Sequence, residues 1–281
     1  MVGWLLGKYR ETPQKGRWKL HGTIGILIIV ISEILMLGRV EPVATYFNAV
    51  VWTGYILLVD GLTYRLEGAS LITTHWRRFL LLLPLGLVGY TIFESYNLKL
   101  HAWVYRYSVS SPGAWLLLFV WGWMQVFPAL FETAWFLRAL GVGKAASGPG
   151  RFAVTKTKLL LSFAFGLFLL AFPFVVTNPH ALIRTLVPLG AFFYYGCMFF
   201  GFLLLLDPVN YSLSRHSLLA DLGCGNYYTW KLVGLSGMIC GILWEFWNYW
   251  ATGKWIYVVP VMQDLKMFEM PLSRISVFNA D

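Results

Sequence analysis

The stretch Leu57-Leu58-Val59-Asp60 ends an apolar run with an acid, and Leu204-Leu205-Leu206-Asp207 repeats it later in the chain. The polar residues that follow match in the same order: Tyr64 with Tyr211, Ser70 with Ser217, Glu94-x-x-Asn97 with Glu245-x-x-Asn248, and Trp103-x-Tyr105 with Trp255-x-Tyr257. Because the matched residues are largely the non-hydrophobic ones, shared hydrophobicity does not account for them. We therefore interpret the chain as a duplicated transmembrane unit.

The composition indicates a membrane protein. The chain has 281 residues, 58% of them hydrophobic and 12% charged, with a mean hydropathy of +0.64. A soluble domain carries about 25% charged residues, so the sequence predicts lipid as the solvent. The net charge of +9 would also suit nucleic acid, but the basic residues cluster between apolar runs. We therefore expect no nucleic-acid partner, and no cleaved signal peptide between Met1 and Gly22.

The apolar runs predict an all-α fold, a polytopic transmembrane helical bundle of about 7–8 helices in two parallel pseudo-repeats. The runs lie at about 20–38, 45–62, 79–97, 114–137, 158–177, 183–206 and 230–251, with a weaker eighth from about 256. The predicted organisation is a cytoplasmic N-terminal segment (1–19), a first repeat (20–140), a linker (141–157) and a C-terminally incomplete second repeat (158–281). Either the chain ends early or a protein partner completes the second repeat.

The distribution of Lys and Arg predicts the orientation. The connections on one side hold 15 of these residues and those on the other side hold five. Positive charge favours the cytoplasmic side, so we expect a multi-pass protein of the bacterial cytoplasmic (inner) membrane with its N-terminus inside. Asp60 and Asp207 then lie at the inner boundary, where we interpret them as helix-end or loop-ordering residues.

The two Glu-x-x-Asn pairs are the first candidates for chemistry. Their i,i+3 spacing puts Glu94 with Asn97, and Glu245 with Asn248, on one helix face each. An ionisable residue in a spanning segment costs roughly 2.5–3.5 kcal/mol at the helix centre. The duplication predicts that Glu94 and Glu245 face each other across a central cleft, as proton donor and base oriented by the two Asn. Alternatively, each Glu hydrogen-bonds neighbouring helices and pins the bundle.

Two further acids are predicted to assist. Glu132 lies inside the fourth run, one turn after Pro128, whose missing N–H can free a carbonyl to line a cavity. Glu269 is its counterpart in the second repeat.

Aromatic residues surround these acids. Trp103, Tyr105, Trp255 and Tyr257 are typical of an interfacial belt, whereas Trp244 and Trp247 flank Glu245. Because aromatic faces stabilise carbocations, all six are candidate substrate-binding residues.

The sequence implies neither a metal nor a cofactor. The five histidines lie at helix ends or in connections, which argues against a bis-histidine haem. The chain has no Asn-Asp-x-x-Asp motif for magnesium diphosphate and no nucleotide-binding loop.

The strings Trp52–Asp60, Phe93–Asn97, Trp244–Trp250 and Phe268–Pro271 resemble a group of bacterial polytopic membrane proteins of no settled function that carry a tandem repeat. The layout also resembles, more loosely, the small membrane-embedded lycopene cyclase domains. Those have an acid after Trp, a downstream Trp-x-aromatic and a Pro-x-Glu-Glu element. The resemblance implies that Glu94 and Glu245 match the first acid and that Glu132 and Glu269 match the last, although each Pro-x-Glu-Glu is reduced here to a single Glu.

The sequence leaves two classes of function open. The first is an integral membrane enzyme, a lycopene-cyclase-like isoprenoid cyclase or hydratase, that acts on a long apolar isoprenoid, carotenoid or other lipid by Glu-based acid–base chemistry in a cleft between the repeats. The second is a non-enzymatic polytopic protein, either a transporter or an accessory subunit of a membrane complex. Membrane lipids are partners in both.

Overall fold

The computed structural model describes residues 15–107, 109, 111–143, 148–150, 152–176, 189–258, 266–268 and 270–271. The helices are α1 (Leu20–Leu37), α2 (Val43–Glu67), α3 (Trp76–Leu100), α4 (Pro112–Met124), α5 (Val126–Ala139), α6 (Lys156–Val175), α7 (Leu189–Ser212), α8 (Leu218–Gly223) and α9 (Tyr228–Trp250). The strands are β1 (Trp103–Arg106), β2 (Lys254–Tyr257), β3 (Lys266–Met267) and β4 (Met270–Pro271). The predicted all-α helical bundle is confirmed.

Five helical stretches in the described residues are long and apolar enough to cross a bilayer. They are Leu20–Leu37, Val43–Glu67, Trp76–Leu100, Pro112–Ala139 and Lys156–Val175. Large apolar side chains on these helices are exposed, among them Leu27, Ile31 and Leu160. Exposed apolar surface on this scale suits hydrocarbon rather than water, which agrees with a membrane protein.

The fourth apolar run is broken in the middle, between α4 and α5. Pro128 has no N–H to donate to the carbonyl four residues earlier, and its ring clashes with that carbonyl, so α4 ends at Met124. The side chain of Gln125 fills the break: its Nε2 donates to Ala49 O at 3.0 Å, and its Oε1 accepts from Thr53 Oγ1 at 3.1 Å. Polar groups within hydrocarbon need such internal partners.

The eighth apolar run begins in a strand, and most of that run lies outside the described residues. Residues Lys254–Tyr257 form strand β2, which pairs with β1 in a two-stranded sheet. Val258 N continues the pairing by donating to Ala102 O at 2.9 Å. The physical reason is the run of aromatic and β-branched residues from Trp255 to Val258, which favours extended backbone.

The chain divides into two compact units, which we call the first and second unit. The first comprises Met1–Thr91, Tyr105–Gly148 and Asn226–Lys254, and the second comprises Ile92–Val104, Pro149–Gly225 and Trp255–Asp281. These ranges differ from the predicted repeats, 20–140 and 158–281, because α9 packs on α5 in the first unit and the end of α3 belongs to the second.

Helices α1 and α2 of the first unit approach closely at a pair of glycines. A Cβ on Gly25 would lie 2.5 Å from Leu58 N and 2.6 Å from Gly54 O, which is far inside contact distance. Glycine is therefore required for this backbone-to-backbone crossing, as in other tightly packed membrane helices.

Helices α6 and α7 of the second unit cross in the same way. A Cβ on Gly166 would lie 2.5 Å from Leu205 N and 2.9 Å from Gly201 O. Gly201 and Leu205 are the residues that the 147-residue offset between Asp60 and Asp207 pairs with the α2 residues at the first crossing.

Candidate functional site

The buried carboxylate of Asp60 on α2 organises the polar interior of the first unit. Its Oδ2 accepts from Ser70 Oγ at 2.9 Å and from Thr73 Oγ1 at 3.2 Å, and its Oδ1 accepts from Ile72 N at 2.7 Å. His21 Nε2 from α1 lies 2.8 Å from Oδ2. These partners compensate the burial of the carboxylate and fix the loop between α2 and α3.

Asp207 on α7 does the same in the second unit. Its Oδ2 accepts from Ser217 Oγ at 2.7 Å and from Leu219 N at 2.9 Å, and its Oδ1 accepts from Leu218 N at 2.7 Å. In each unit the serine follows the aspartate by ten residues. The interpretation of Asp60 and Asp207 as loop-ordering residues is confirmed.

Glu132 is a buried acid that lacks hydrogen bonds like those around Asp60 and Asp207. It lies on α5 and is 0% exposed, and neither carboxyl oxygen makes a hydrogen bond of ordinary geometry among the described residues. The acid with which it interacts electrostatically is Asp60. A buried polar group left unsatisfied costs roughly 1–3 kcal/mol, so this position stores an energetic cost that packing alone does not explain.

A chain of hydroxyl and thiol groups continues from the next residue, Thr133, and links three helices. Thr133 Oγ1 donates to Ala129 O at 2.7 Å, and it lies 2.7 Å from Tyr55 Oη and 3.4 Å from Cys240 Sγ. Because a hydroxyl has a single proton, both Tyr55 on α2 and Cys240 on α9 donate to Thr133. Tyr55 also interacts electrostatically with Glu132, so the acid has an ordered neighbour.

A buried ion pair that the sequence reasoning missed joins α2 to α5. Arg138 Nη2 pairs with Glu67 Oε2, and Trp135 Nε1 donates to the same oxygen at 3.0 Å. The Arg138 guanidinium also lies 4.5 Å from the Trp135 ring centroid. The spacing Trp135-x-x-Arg138 puts both side chains on one face of α5, but it does not indicate Glu67 as their partner.

The first Glu-x-x-Asn pair lies at the end of α3, in the second unit. Trp103 Nε1 donates to Glu94 Oε1 at 3.0 Å. Asn97 Oδ1 accepts from Ala102 N at 3.0 Å and from Trp103 N at 3.1 Å, while its Nδ2 donates to Trp103 O at 3.0 Å. Asn97 therefore fixes the backbone at the start of β1. By doing so it also positions the Trp103 indole, which donates to Glu94.

The second pair, Glu245 and Asn248, is buried in the last two turns of α9, in the first unit. The structure thus assigns Glu94 and Glu245 to different compact units. Their meeting across one cleft stays a prediction. Glu269, the expected counterpart of Glu132, lies outside the described residues.

Trp244 and Trp247 pack in the core of the first unit. The Trp247 ring lies 5.0 Å from the Trp52 ring, and the Trp244 ring lies 5.7 Å from it. Trp247 Nε1 donates to Glu33 Oε1 at 3.1 Å. These rings and Tyr55 form one aromatic cluster on α2 and α9.

The other four predicted aromatic residues lie on the strands. Trp103 and Tyr105 belong to β1, and Trp255 and Tyr257 belong to β2. Tyr105 Oη lies 3.3 Å from Tyr90 Oη. Trp255 is buried, whereas the remaining three are half-buried.

Among the described residues, no group of three His, Cys, Asp or Glu side chains is placed so that it could hold a metal ion. The arrangement around Glu132 can instead hold and deliver a proton inside an apolar interior.

Comparison of the chain with protein-family models, with curated proteins and with solved structures finds no match.

Proposed function

We propose that the protein is an integral membrane enzyme that acts on a long apolar substrate, an isoprenoid, a carotenoid or another lipid, by acid–base chemistry. The observation that supports it is the Glu132 carboxyl, which is fully buried beside Asp60 and makes no hydrogen bond of ordinary geometry among the described residues. Ionisable groups placed inside a membrane bundle at such a cost are by default candidates for function.

The proposed step is a proton transfer. Glu132 donates its proton to a carbon–carbon double bond, and the electron pair of that bond forms the new C–H bond, leaving a carbocation on the neighbouring carbon. Attack of a second double bond on the cation closes a ring. Loss of a proton from an adjacent carbon to a carboxylate then restores a double bond, so the reaction needs no oxidant or reductant.

Neighbouring groups suit a cationic intermediate. Asp60, which accepts four hydrogen bonds or close polar contacts, supplies a fixed negative charge. The rings of Trp52 and Tyr55, 5.2 Å apart, offer π faces, which attract cations by about 0.5–2 kcal/mol each. Glu245, buried in the same unit, is proposed as the second acid.

The test compares lipid and pigment extracts of a deletion strain complemented with the wild-type chain or with Glu132→Gln. Glutamine keeps the volume of the side chain but holds no transferable proton, so we expect the variant to accumulate the same apolar precursor as the deletion strain. Asp207→Asn, a carboxylate substitution in the second unit, controls for general damage and is expected to retain product at matched membrane abundance. Identical profiles in the deletion and wild-type strains would overturn the proposal.

Proton-coupled transport is a second candidate, and the His21–Asp60 contact favours it. The side chain of His21 is 23% exposed, whereas that of Asp60 is fully buried, so the pair connects the surface of the first unit to the interior near Glu132. Proteoliposomes with an internal pH-sensitive dye test this candidate. Proton uptake that Asp60→Asn and Glu132→Gln both abolish, with unchanged lipid extracts, would select transport over the enzyme.

The orientation is also a proposal. The 15:5 distribution of Lys and Arg supports a cytoplasmic N-terminus. Labelling of a single introduced cysteine at Arg39, with the three native cysteines replaced by serine, would place the connection between α1 and α2. A membrane-impermeant maleimide is expected to label it from outside the cell.

A further inference from the structure

Three ionisable side chains of the first unit form a series from its surface to its interior. His21 Nε2 on α1 lies 2.8 Å from Asp60 Oδ2 on α2. The histidine side chain is 23% exposed, whereas that of the aspartate is fully buried. Glu132 lies on α5, which packs on α2, and its buried carboxyl interacts with Asp60. Each member of the series therefore contacts the next one, and only the first reaches the surface.

The packing of α1 on α2 holds the imidazole in this position. A Cβ on Gly22 would lie 3.3 Å from Gly61 Cα, and a Cβ on Gly61 would lie 3.8 Å from His21 Nε2. The two backbones thus approach each other beside the histidine and keep its ring against the aspartate. Lys19 and Tyr64 are the nearest other ionisable residues in sequence, and they contact each other, with Nζ 4.5 Å from the ring centroid.

The second unit shows that ordering the loop does not require a histidine. Ser162 precedes the crossing glycine of α6 by four residues, as His21 precedes that of α1. Its Oγ donates to a backbone carbonyl, Leu204 O, at 3.0 Å. Asp207 nevertheless orders its loop, through three hydrogen bonds donated by that loop. Loop ordering alone therefore does not explain the histidine of the first unit.

The proposed reaction needs a supply of protons to Glu132. Each turnover transfers the proton of this acid to carbon and leaves a carboxylate, so another proton must arrive before the next turnover. Because the side chain is fully buried, that proton has to pass through neighbouring groups. Histidine suits such a route, since it is the side chain that ordinarily gains and loses a proton near neutral pH.

We propose that His21 and Asp60 relay protons from the surface of the first unit to Glu132. His21 takes a proton from water and gives one to Asp60, and Asp60 passes a proton to the Glu132 carboxylate and is again a carboxylate itself. The net result is one proton moved from water to the acid, with no transfer of electrons. Chains of His, Asp and Glu serve as proton relays inside other membrane bundles. The inference rests on the proposed function, because it assigns the source of the proton that Glu132 donates.

The test follows the exchange of the Glu132 carboxyl proton for deuterium. Infrared spectroscopy of the purified full chain in lipid nanodiscs detects the C=O stretch of a protonated carboxyl, which shifts in deuterated water, and Glu132→Gln identifies the band. We expect His21→Gln to slow the shift tenfold or more, because an amide can keep the hydrogen bond to Asp60 but does not carry a proton. His216→Gln is the matched control in the second unit, where His216 lies 2.9 Å from Asp221, and it should exchange at the wild-type rate.

Added imidazole separates a proton relay from a structural role. His21→Ala removes the ring, and imidazole in the buffer should restore fast exchange, which it could not do for a lost helix contact. Slow exchange that imidazole leaves unchanged would overturn the relay, as would equal rates in the wild type and His21→Gln at matched circular dichroism. Either result would leave Glu132 as the proposed acid. If no protonated carboxyl band is lost in Glu132→Gln, the proposed function itself fails.

Discussion

Substituting the two crossing glycines, Gly25→Ala and Gly166→Ala, should destabilise the protein by similar amounts. In each case the new Cβ would lie 2.5 Å from a backbone nitrogen of the facing helix, about 0.9 Å short of the 3.4 Å at which ordinary contact begins. Backbone atoms cannot rotate away as a side chain would, so the helices must separate along the contact. Overpacking of this kind costs about 1–3 kcal/mol.

Gly237→Ala is the matched control. Gly237 lies on α9, and a Cβ there would meet nothing within 4 Å. Alanine is the better helix former by roughly 0.8–1.0 kcal/mol in water, so this variant should be neutral or slightly stabilised. The comparison therefore isolates the helix crossing from the general effect of replacing a membrane glycine.

The assay is unfolding of the detergent-solubilised chain in an SDS titration, followed by the fluorescence of its 14 tryptophans. The free energy of unfolding should fall for Gly25→Ala and for Gly166→Ala, and should hold or rise for Gly237→Ala. Equal stability of all three variants would refute the close backbone approach in both units.

Three other substitutions test the buried polar contacts. Asp207→Asn should lower the free energy of unfolding by about 1–3 kcal/mol, because the amide nitrogen cannot accept from Ser217 or the backbone; an unchanged SDS midpoint would contradict this. Arg138→Met should cost about 3–5 kcal/mol by leaving Glu67 buried without its cation, and adding Glu67→Gln should recover most of that loss. If the double variant is no more stable than Arg138→Met, the ion pair is not the cause. Asn97→Ala should speed hydrogen exchange at the amides that begin β1, measured by mass spectrometry, and unchanged exchange there would exclude the assigned role.

The spanning helices could be predicted from the sequence because hydrocarbon requires continuous apolar runs. Helices α1, α6 and α9 coincide with the expected runs to within two residues at each end. Hydropathy carries no information on backbone hydrogen bonds. The break between α4 and α5 at Gln125 was therefore not predicted, although Pro128 removes a helical hydrogen bond there. The Trp-x-Tyr pairs were interpreted as an interfacial belt, and their pairing as strands β1 and β2 depends on a contact that is distant in sequence.

The candidate site was predicted in part. Glu132 could be identified as a candidate because it is an acid inside an apolar run. The loop-ordering role of Asp60 could be inferred because that acid lies at the end of an apolar run. Glu67 and Arg138 could not, because each is an ordinary charged residue near a helix end, and Arg138 was counted among the charges that set orientation. Their pairing becomes visible only when α2 and α5 are packed together.

The contact between α5 and α9 has a consequence for biogenesis. Roughly ninety residues separate the end of α5 from the start of α9, and ribosomes add about 5–20 residues per second. For several seconds after α5 has been synthesised, α9 is therefore absent. During that time the Thr133 hydroxyl lacks its contact with the Cys240 thiol, and the face of α5 that packs on α9 is uncovered. We therefore expect an insertase or chaperone that covers this polar face of α5 during synthesis to assist correct assembly of the bundle.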